Sequence, residues 1–294
     1  MNEAFEKLVA EAPYGRAEPL SPLVRRVLAR NPSPFTFTGT GTYIVGRGEV
    51  AVIDPGPADA AHIAAILEAT KGETIAAMLV THTHLDHSPG AVPLKAACGA
   101  PVLGCAPLML ADDGPRADAG FDAGYAPDRV LADGEAVSGP GWTLRAVATP
   151  GHTSNHLCFA LEEEGALFTG DHVMGWSTTV VAPPDGDMAA YMASLAKLLD
   201  RDDRRYYPAH GAPVEEPQRW VRHLIAHRRQ REAQILAQLA RGPRTVPEMV
   251  EAMYAAVDRR LWGAAGRSVL AHLLDLAARG EVERGEGETW VRRA

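Results

Sequence analysis

The chain is short of the residues that mark several functional classes. Cys98, Cys105 and Cys158 are its only three cysteines and form no CxxC pair. This argues against a thiolate-built metal site and a disulfide framework and suits a reducing compartment; all three are expected as small core residues. No run approaches the ~18 consecutive apolar residues of a spanning helix. The segment from Met1 to Pro13 holds Glu3, Glu6 and Glu11 and no apolar stretch of signal-peptide length, so the expectation is a cytoplasmic protein without membrane contact. Basic charge is scarce as well: 29 Lys and Arg stand against 37 Asp and Glu, a net of −8, the wrong sign for coating nucleic acid nonspecifically. No internal repeat or low-complexity stretch is present, and nothing in the sequence bears on oligomeric state.

What is present is globular. With 46% hydrophobic and 22% charged residues over 294 positions, the chain suits one large domain and a smaller one, each with its own core. Alternation of polar and apolar residues predicts strands over Thr42 to Val45 and Val50 to Ile53, joined through Gly46, Arg47 and Gly48. A helix is predicted over Ala60 to Thr70 from the spacing of Ile63, Ile66 and Leu67, and a buried strand over Ala76 to Val80. Further strands are expected at Trp142 to Ala148, His156 to Leu161, Ala166 to Phe168 and Arg205 to Tyr207, with a helix over Met188 to Leu199. This order indicates a layered α/β domain. After Pro217 the character changes to helices at Trp220 to Leu239, Val246 to Val257 and Arg267 to Ala278, then a hairpin turning at Gly285, Glu286 and Gly287; helices followed by a terminal hairpin suggest a winged helix. The boundary is placed at 216/217. Ala111 to Pro127, rich in Asp, Gly and Ala, is expected as an exposed loop.

The chemistry is concentrated in four segments. His82-Thr83-His84-Leu85-Asp86-His87 sets three imidazoles and a carboxylate within six positions, straight after an apolar strand and before a helix start at Pro89-Gly90. Pro150-Gly151-His152-Thr153, Thr169-Gly170-Asp171-His172 and Pro208-Ala209-His210-Gly211 share a syntax of strand end, small residue and ligand. Nitrogen and oxygen donors without thiolates suit an open, catalytic zinc, iron or manganese centre rather than a closed structural one. Five His and two Asp are too many for one tetrahedral ion, so two metals are expected.

These segments, with the early Thr42-Tyr43-Ile44-Val45-Gly46 and Val52-Ile53-Asp54-Pro55-Gly56 hairpin, resemble the metallo-β-lactamase superfamily. The resemblance implies a four-layer αβ/βα sandwich and two divalent cations, Zn2+ first and Fe or Mn as alternatives. It implies His82, His84 and His152 at one metal, Asp86, His87 and His210 at the other, and Asp171 bridging. Two ions roughly 3.5–4 Å apart would activate a bridging hydroxide as nucleophile, with Asp86 as the catalytic carboxylate that orients it and accepts its proton. Over nearly the whole chain, the stretches Thr81–Ala91, Thr149–Leu161, Gly170–Val180, Asp187–Leu195, Tyr206–Gly211 and His227–Leu236, followed by the winged-helix-like tail, are similar to the lactamase-beta-2-like group, which includes endoribonucleases specific for single-stranded RNA.

That likeness implies cleavage of phosphodiester bonds in single-stranded RNA. The same ligand pattern serves thioester hydrolases of the glyoxalase II type acting on small anionic metabolites, and also lactonases and true β-lactamases, so the ligands alone leave the substrate open. The 39 positions between Asp171 and His210 leave no room for the inserted domain of the long RNA-processing nucleases. A winged-helix nucleic-acid-binding protein with a structural metal is disfavoured, since the segment from Arg241 to Ala294 holds nine Arg against eight acidic residues.

Among the other histidines, His62, His223 and His272 are expected as solvent-exposed helix residues. His156 and His172 adjoin ligand segments and could each orient a ligand, donate to a leaving group or satisfy a backbone carbonyl. His227 and Arg231 share a helical face with Leu224 and Ile235, which suggests a partly buried polar contact between domains. Arg219, Arg222, Arg228, Arg229 and Arg231 make 219–231 the most basic stretch, either steering an anionic substrate or forming a solvated face. Thr178 and Thr179 could bind a phosphate or carboxylate, or simply be strand formers.

Overall fold

The computed structural model describes residues 3–108 and 120–293. In chain order the elements are α1 (Glu3–Glu11), β1 (Ala17–Pro19), β2 (Val24–Leu28), β3 (Gly41–Arg47), β4 (Glu49–Ile53), α2 (Ala60–Ala69), β5 (Thr74–Val80), α3 (Ala91–Cys98), β6 (Val102–Gly104), β7 (Arg129–Val130), β8 (Ala136–Gly139), β9 (Trp142–Ala148), β10 (Leu157–Leu161), β11 (Ala166–Gly170), α4 (Met188–Leu199), β12 (Arg205–Pro208), α5 (Pro217–Leu239), β13 (Arg244–Thr245), α6 (Val246–Met253), α7 (Trp262–Ala278), β14 (Val282–Arg284) and β15 (Thr289–Arg292). Seven strands, β1 to β7, form one sheet in sequential order, and β12-β11-β10-β9-β8 form a second.

Strand period fixes the layers. Along β10, Leu157, Phe159 and Leu161 enter the core shared with the first sheet, whereas Cys158 and Ala160 face the core under α4 and α5. Phe168 of β11 likewise meets Tyr43 of β3, ring centroids 5.0 Å apart, while its neighbour Leu167 turns to the helical side. Successive side chains on a strand point to opposite faces, so a sheet with every residue buried must be covered twice. Ile63 and Ile66 of α2 and Leu94 of α3 pack into the core of the first sheet, and Leu195 and Leu198 of α4 with Val221 and Leu224 of α5 cover the second. The expected four layers are present. The helices start where side chains take up free N–H groups: Asp59 accepts from His62 N at 2.8 Å, Asp187 from Ala190 N at 2.7 Å, and Thr245 with Glu248 forms a capping box on α6.

The third core joins Ile235 and Leu239 of α5 to Val250, Val269, Leu273, Val282 and Trp290, beneath the three-stranded sheet β13-β15-β14. Helix α5 therefore spans two cores, its first half in one and its last turns in the other.

Several expectations need correction. Cys98 is exposed at the end of α3 rather than in the core. His62 and His272 are buried, at 4% and 2% exposure, because each lies on the inner side of its helix. Arg228 is buried at 3%, so it belongs to no solvated face. Thr178 and Thr179 sit in an irregular segment and not in a strand. Of the expected loop from Ala111 to Pro127, residues 111–119 lie outside the described residues, and 120–127 hold only an isolated bridge from Phe121 to His84.

Candidate metal centre

Strands β4 and β5 run parallel, as do β11 and β12, and the residues that follow β5, β9, β11 and β12 converge. They form two adjoining groups: His82, His84, His152 and Asp171, and Asp86, His87 and His210, each with its donor atoms within 4.8 Å of one another. All seven residues singled out in the sequence are thus brought together.

The distances discriminate between a hydrogen-bond cluster and a cation site. His82 Nε2 and His152 Nε2 each lie 3.1 Å from His84 Nδ1. That nitrogen offers a single proton or a single in-plane lone pair, so it cannot serve both neighbours. In the second group His87 Nε2 and His210 Nε2 are each 3.3 Å from Asp86 Oδ2, and 3.5 and 3.2 Å from Asp171 Oδ1. The other oxygen of Asp171 is 3.6 Å from His152 Nε2. Donors bound at ~2.0–2.1 Å around a tetrahedral ion are ~3.3–3.4 Å apart, and the observed edges bracket that value. His87 Nε2 and Asp171 Oδ1 are buried with no hydrogen-bond partner. The donor set fits divalent cations.

The far nitrogens of His82, His87, His152 and His210 are held by residues outside the groups. His82 Nδ1 meets Thr81 Oγ1 at 3.0 Å, His87 Nδ1 meets Asp54 Oδ2 at 2.9 Å, His152 Nδ1 donates to Val180 O at 2.6 Å, and His210 Nδ1 lies 3.3 Å from Gly39 O. Such contacts fix the tautomer and aim the ring. Asp54 does more: it also accepts from Thr81 N and Thr81 Oγ1, both at 2.8 Å, from a left-handed backbone with φ of 47°, a conformation that costs energy outside glycine. Thr40 Oγ1 donates to Asp86 Oδ2 at 2.8 Å and is itself met by Asn31 Nδ2 at 2.9 Å.

His156 accepts from Asp171 N at 3.2 Å and meets Thr149 Oγ1 at 2.9 Å, so of its open roles the structure gives it that of orienting Asp171. Gly170 makes this possible: at φ +49° its Cα sits so close that a Cβ would stand 2.7 Å from His156 Nε2. His172 is fully buried against the Tyr191 ring, and burial lowers it to about 3. Thr179 Oγ1 donates to Asp171 O at 2.7 Å. His227 and Arg231 lie 3.4 Å apart and Arg231 reaches Met253 O of α6, so these polar contacts fall within the unit from 217 onward rather than between domains.

Electrostatically the second group is balanced without a metal. Burial works against the charged form of Asp86 and Asp171, but the imidazoles of His87 and His210 outweigh it and hold both carboxyls well below their usual range. The same pairing overcomes burial to raise His87 well above its ordinary value and His210 to about 10. In the first group burial, then His87 and His84, hold His82 well below it. A divalent cation supplies the positive charge that protons otherwise provide.

No role for Asp54, Thr40 or Asn31 is read from the sequence alone, where Arg228 figures only as part of the basic stretch. Asp54 is the polar residue that stops the apolar run of β4, and Arg228 falls on the buried face of α5 with Val221, Leu224 and Ile225; both are signals a sequence reading can use.

Comparison with known proteins agrees with this geometry. Residues 36–210 match the metallo-beta-lactamase superfamily and residues 245–290 the beta-lactamase associated winged helix domain. An atrochrysone carboxyl ACP thioesterase of Aspergillus fumigatus is 37% identical over 80% of this chain and 74% of its own. A beta-lactamase-like protein 2 homolog of Drosophila melanogaster is 34% identical over 90% of each. A beta-lactamase domain protein from Burkholderia ambifaria superposes over 100% of this chain and 99% of its own, with a TM-score of 0.81 at 23% identity. The chain belongs to the metallo-β-lactamase superfamily, as a metal-dependent hydrolase of α/β architecture that carries the winged helix of the lactamase-beta-2-like group.

Proposed function

We propose that the protein hydrolyses a thioester at a dinuclear centre held by His82, His84 and His152 on one side, Asp86, His87 and His210 on the other, and Asp171 between them. The supporting observation is the pair of adjoining donor groups that share the two oxygens of Asp171, in a chain whose relatives include an acyl-carrier-protein thioesterase. Zn2+ is the proposed ion. Divalent cations held by these residues would supply polarisation of the thioester carbonyl and a water whose pKa lies near neutrality. Asp86, oriented by Thr40, accepts that water's proton. Burial holds both histidines beside the ligands, His156 and His172, well below the ordinary imidazole value, so near neutral pH neither is an imidazolium that could serve as the acid. A thiolate departs without one, because a thiol has a pKa near ~8.5. We assign the hydrolase to residues 1–216 and the linker helix with its winged-helix unit to 217–294.

The test is to assay the zinc-loaded protein against acyl-CoA, S-lactoylglutathione, single-stranded RNA and bis(p-nitrophenyl) phosphate, with Asp86→Ala as control. Thioester turnover that falls at least 100-fold in the control is expected. Cleavage of RNA with no thioester turnover would overturn the reading in favour of the phosphodiesterase. That second reading has one physical support, the exposed Arg222 and Arg229 on α5, whereas Arg219 is engaged by Glu216 at 2.8 Å. Were RNA the substrate, its affinity would fall steeply with salt and with Arg219, Arg222 and Arg229 changed to Ala.

A further inference from the structure

Two of the three donors in the second group rest on one loop, the connection between β2 and β3. Gly39 O lies 3.3 Å from His210 Nδ1, and Thr40 Oγ1 donates to Asp86 Oδ2 at 2.8 Å. That same oxygen stands 3.3 Å from both His87 Nε2 and His210 Nε2, so it is the atom Asp86 offers to the group. His82 and His152 of the first group are held elsewhere, by Thr81 and Val180. Whatever sets this loop therefore acts first on the second group.

Asn31 sets it. Its side chain wraps Thr40: Thr40 N donates to Asn31 Oδ1 and Asn31 Nδ2 donates to Thr40 Oγ1, both at 2.9 Å, while Thr36 Oγ1 donates to Asn31 O at 2.6 Å. The loop closes so tightly at Gly39, φ +142°, that a Cβ there would stand 2.0 Å from Ala29 O. The direction of each bond then follows from chemistry. A backbone N–H only donates, so the arm of the amide beside Thr40 N is the oxygen and the other arm is the NH2. An NH2 also only donates, so Thr40 Oγ1 accepts from it. The single proton of the hydroxyl is left for Asp86, whose carboxylate only accepts. Thr40 is 0% exposed, which keeps solvent from competing for that proton.

We propose that Asn31 is a positioning residue for the second cation: by occupying the Thr40 hydroxyl it sends that hydroxyl's proton to Asp86 and so aims the carboxylate. This rests on the dinuclear reading above. Asn31→Asp reverses the polarity with little change of shape. The new carboxylate still accepts from Thr40 N, but its second oxygen also calls for the Thr40 proton, and one proton cannot serve two carboxylates. Asn31→Ala removes the amide without adding a competitor and leaves the proton free for Asp86. Zinc titration of the full chain against a chromophoric chelator should show the second equivalent weakened about tenfold or more in Asn31→Asp and the first unchanged within about twofold, since loss of an outer partner costs a metal about 10–100-fold. Asn31→Ala should lose less than Asn31→Asp, the reverse of the order expected from a side chain that only fills space or braces the loop. In a Thr40→Val background, where no hydroxyl remains to be turned, Asn31→Asp should weaken the second equivalent no further. An unchanged second equivalent in Asn31→Asp, an equal loss of both equivalents, a larger loss in Asn31→Ala, or the same loss from Asn31→Asp with and without the Thr40 hydroxyl would each overturn the assignment and leave the dinuclear reading standing. If the unmodified chain binds fewer than two zinc ions, the dinuclear reading itself falls and the role of Asn31 with it.

Discussion

Asp54→Asn tests whether an outer carboxylate controls the metal centre. In the protein its two oxygens serve three fixed donors: Thr81 N on Oδ1, and Thr81 Oγ1 and His87 Nδ1 on Oδ2. An asparagine has one acceptor oxygen and must point its amide N–H groups at one side. If they face Thr81 N, two N–H groups collide and the backbone cannot turn away. If they face His87, the imidazole can escape by moving its proton to Nε2, so the metal-free variant settles there. Nε2, however, is the atom aimed at Asp86 and Asp171 in the second group, and a cation binding there must first reverse the tautomer and leave the amide and the imidazole as opposed donors. An unmade buried hydrogen bond costs about 1–3 kcal/mol, and loss of such an outer partner weakens a metal by about 10–100-fold. Titrating zinc against a chromophoric chelator should therefore show the second equivalent weakened by that factor and the first little changed. Two equivalents bound as in the unmodified chain, or an equal loss at both, would refute the reasoning.

Three other outcomes follow from particular contacts. Asp171→Ala should lower metal content in both groups, whereas His210→Ala should empty mainly the second; elemental analysis giving equal losses would contradict a shared Asp171. His62 is held down to about 4 by burial; since Thr42 Oγ1 donates to Asp54 O, His62 Nε2 donates to Thr42, and its Nδ1 has no partner. A folded value below the unfolded ~6.5 means that stability is complete above that pH and is lost as pH falls toward about 4, by about 2 kcal/mol between pH 7 and 5; urea unfolding of His62→Gln should show that much less acid sensitivity. Gly151→Ala puts a Cβ 2.3 Å from Tyr191 Cα at a φ of +137°, a clash plus backbone strain of about 2–5 kcal/mol, and calorimetry should register a fall in Tm of about 5–15 °C.

The sequence made the centre legible because its ligands are local clusters at strand ends. His82 to His87 is read at a glance, and β9, β11 and β12 announce themselves by short apolar runs ending in a small residue. Helix α4 coincides with its periodicity over Met188–Leu199. Less was visible where the signal is spread. The short strands β6, β7 and β8 are two to four residues long, too short to show a period, and β2 hides behind Arg25 and Arg26, whose charges are taken up by Glu73 and Glu18. Helical spacing predicts a buried face only when that face is apolar, which hides His62 and His272; His62 is buried against Thr42, far away in the chain, and His272 is packed in with neither ring nitrogen hydrogen-bonded.

The winged-helix unit shows how fold and use separate. In winged-helix proteins that read DNA, one helix is presented to the major groove. Here α7 occupies that place in the chain order, and its surface is already spent. Val269, Leu273 and Leu276 enter the core beneath β14 and β15, Ala271 enters the core of α4 and α5, and Ala264, Ala265 and Ser268 line a cavity against the segment 176–180. The positions it leaves exposed, Gly263, Leu274 and Ala278, carry no cation that could meet a phosphate. A helix committed on three sides cannot enter a groove without undocking from α4 and α5, which would expose Leu224, Ile225 and Ala271 to water. At roughly 25 cal/mol for each Å² of apolar surface uncovered, that separation opposes any nucleic-acid role for α7. The unit's physical contribution is a wall: it closes the cavity from the side opposite Thr179 and Val180, and with α5 it holds Arg228 against the segment that orients His152 and Asp171.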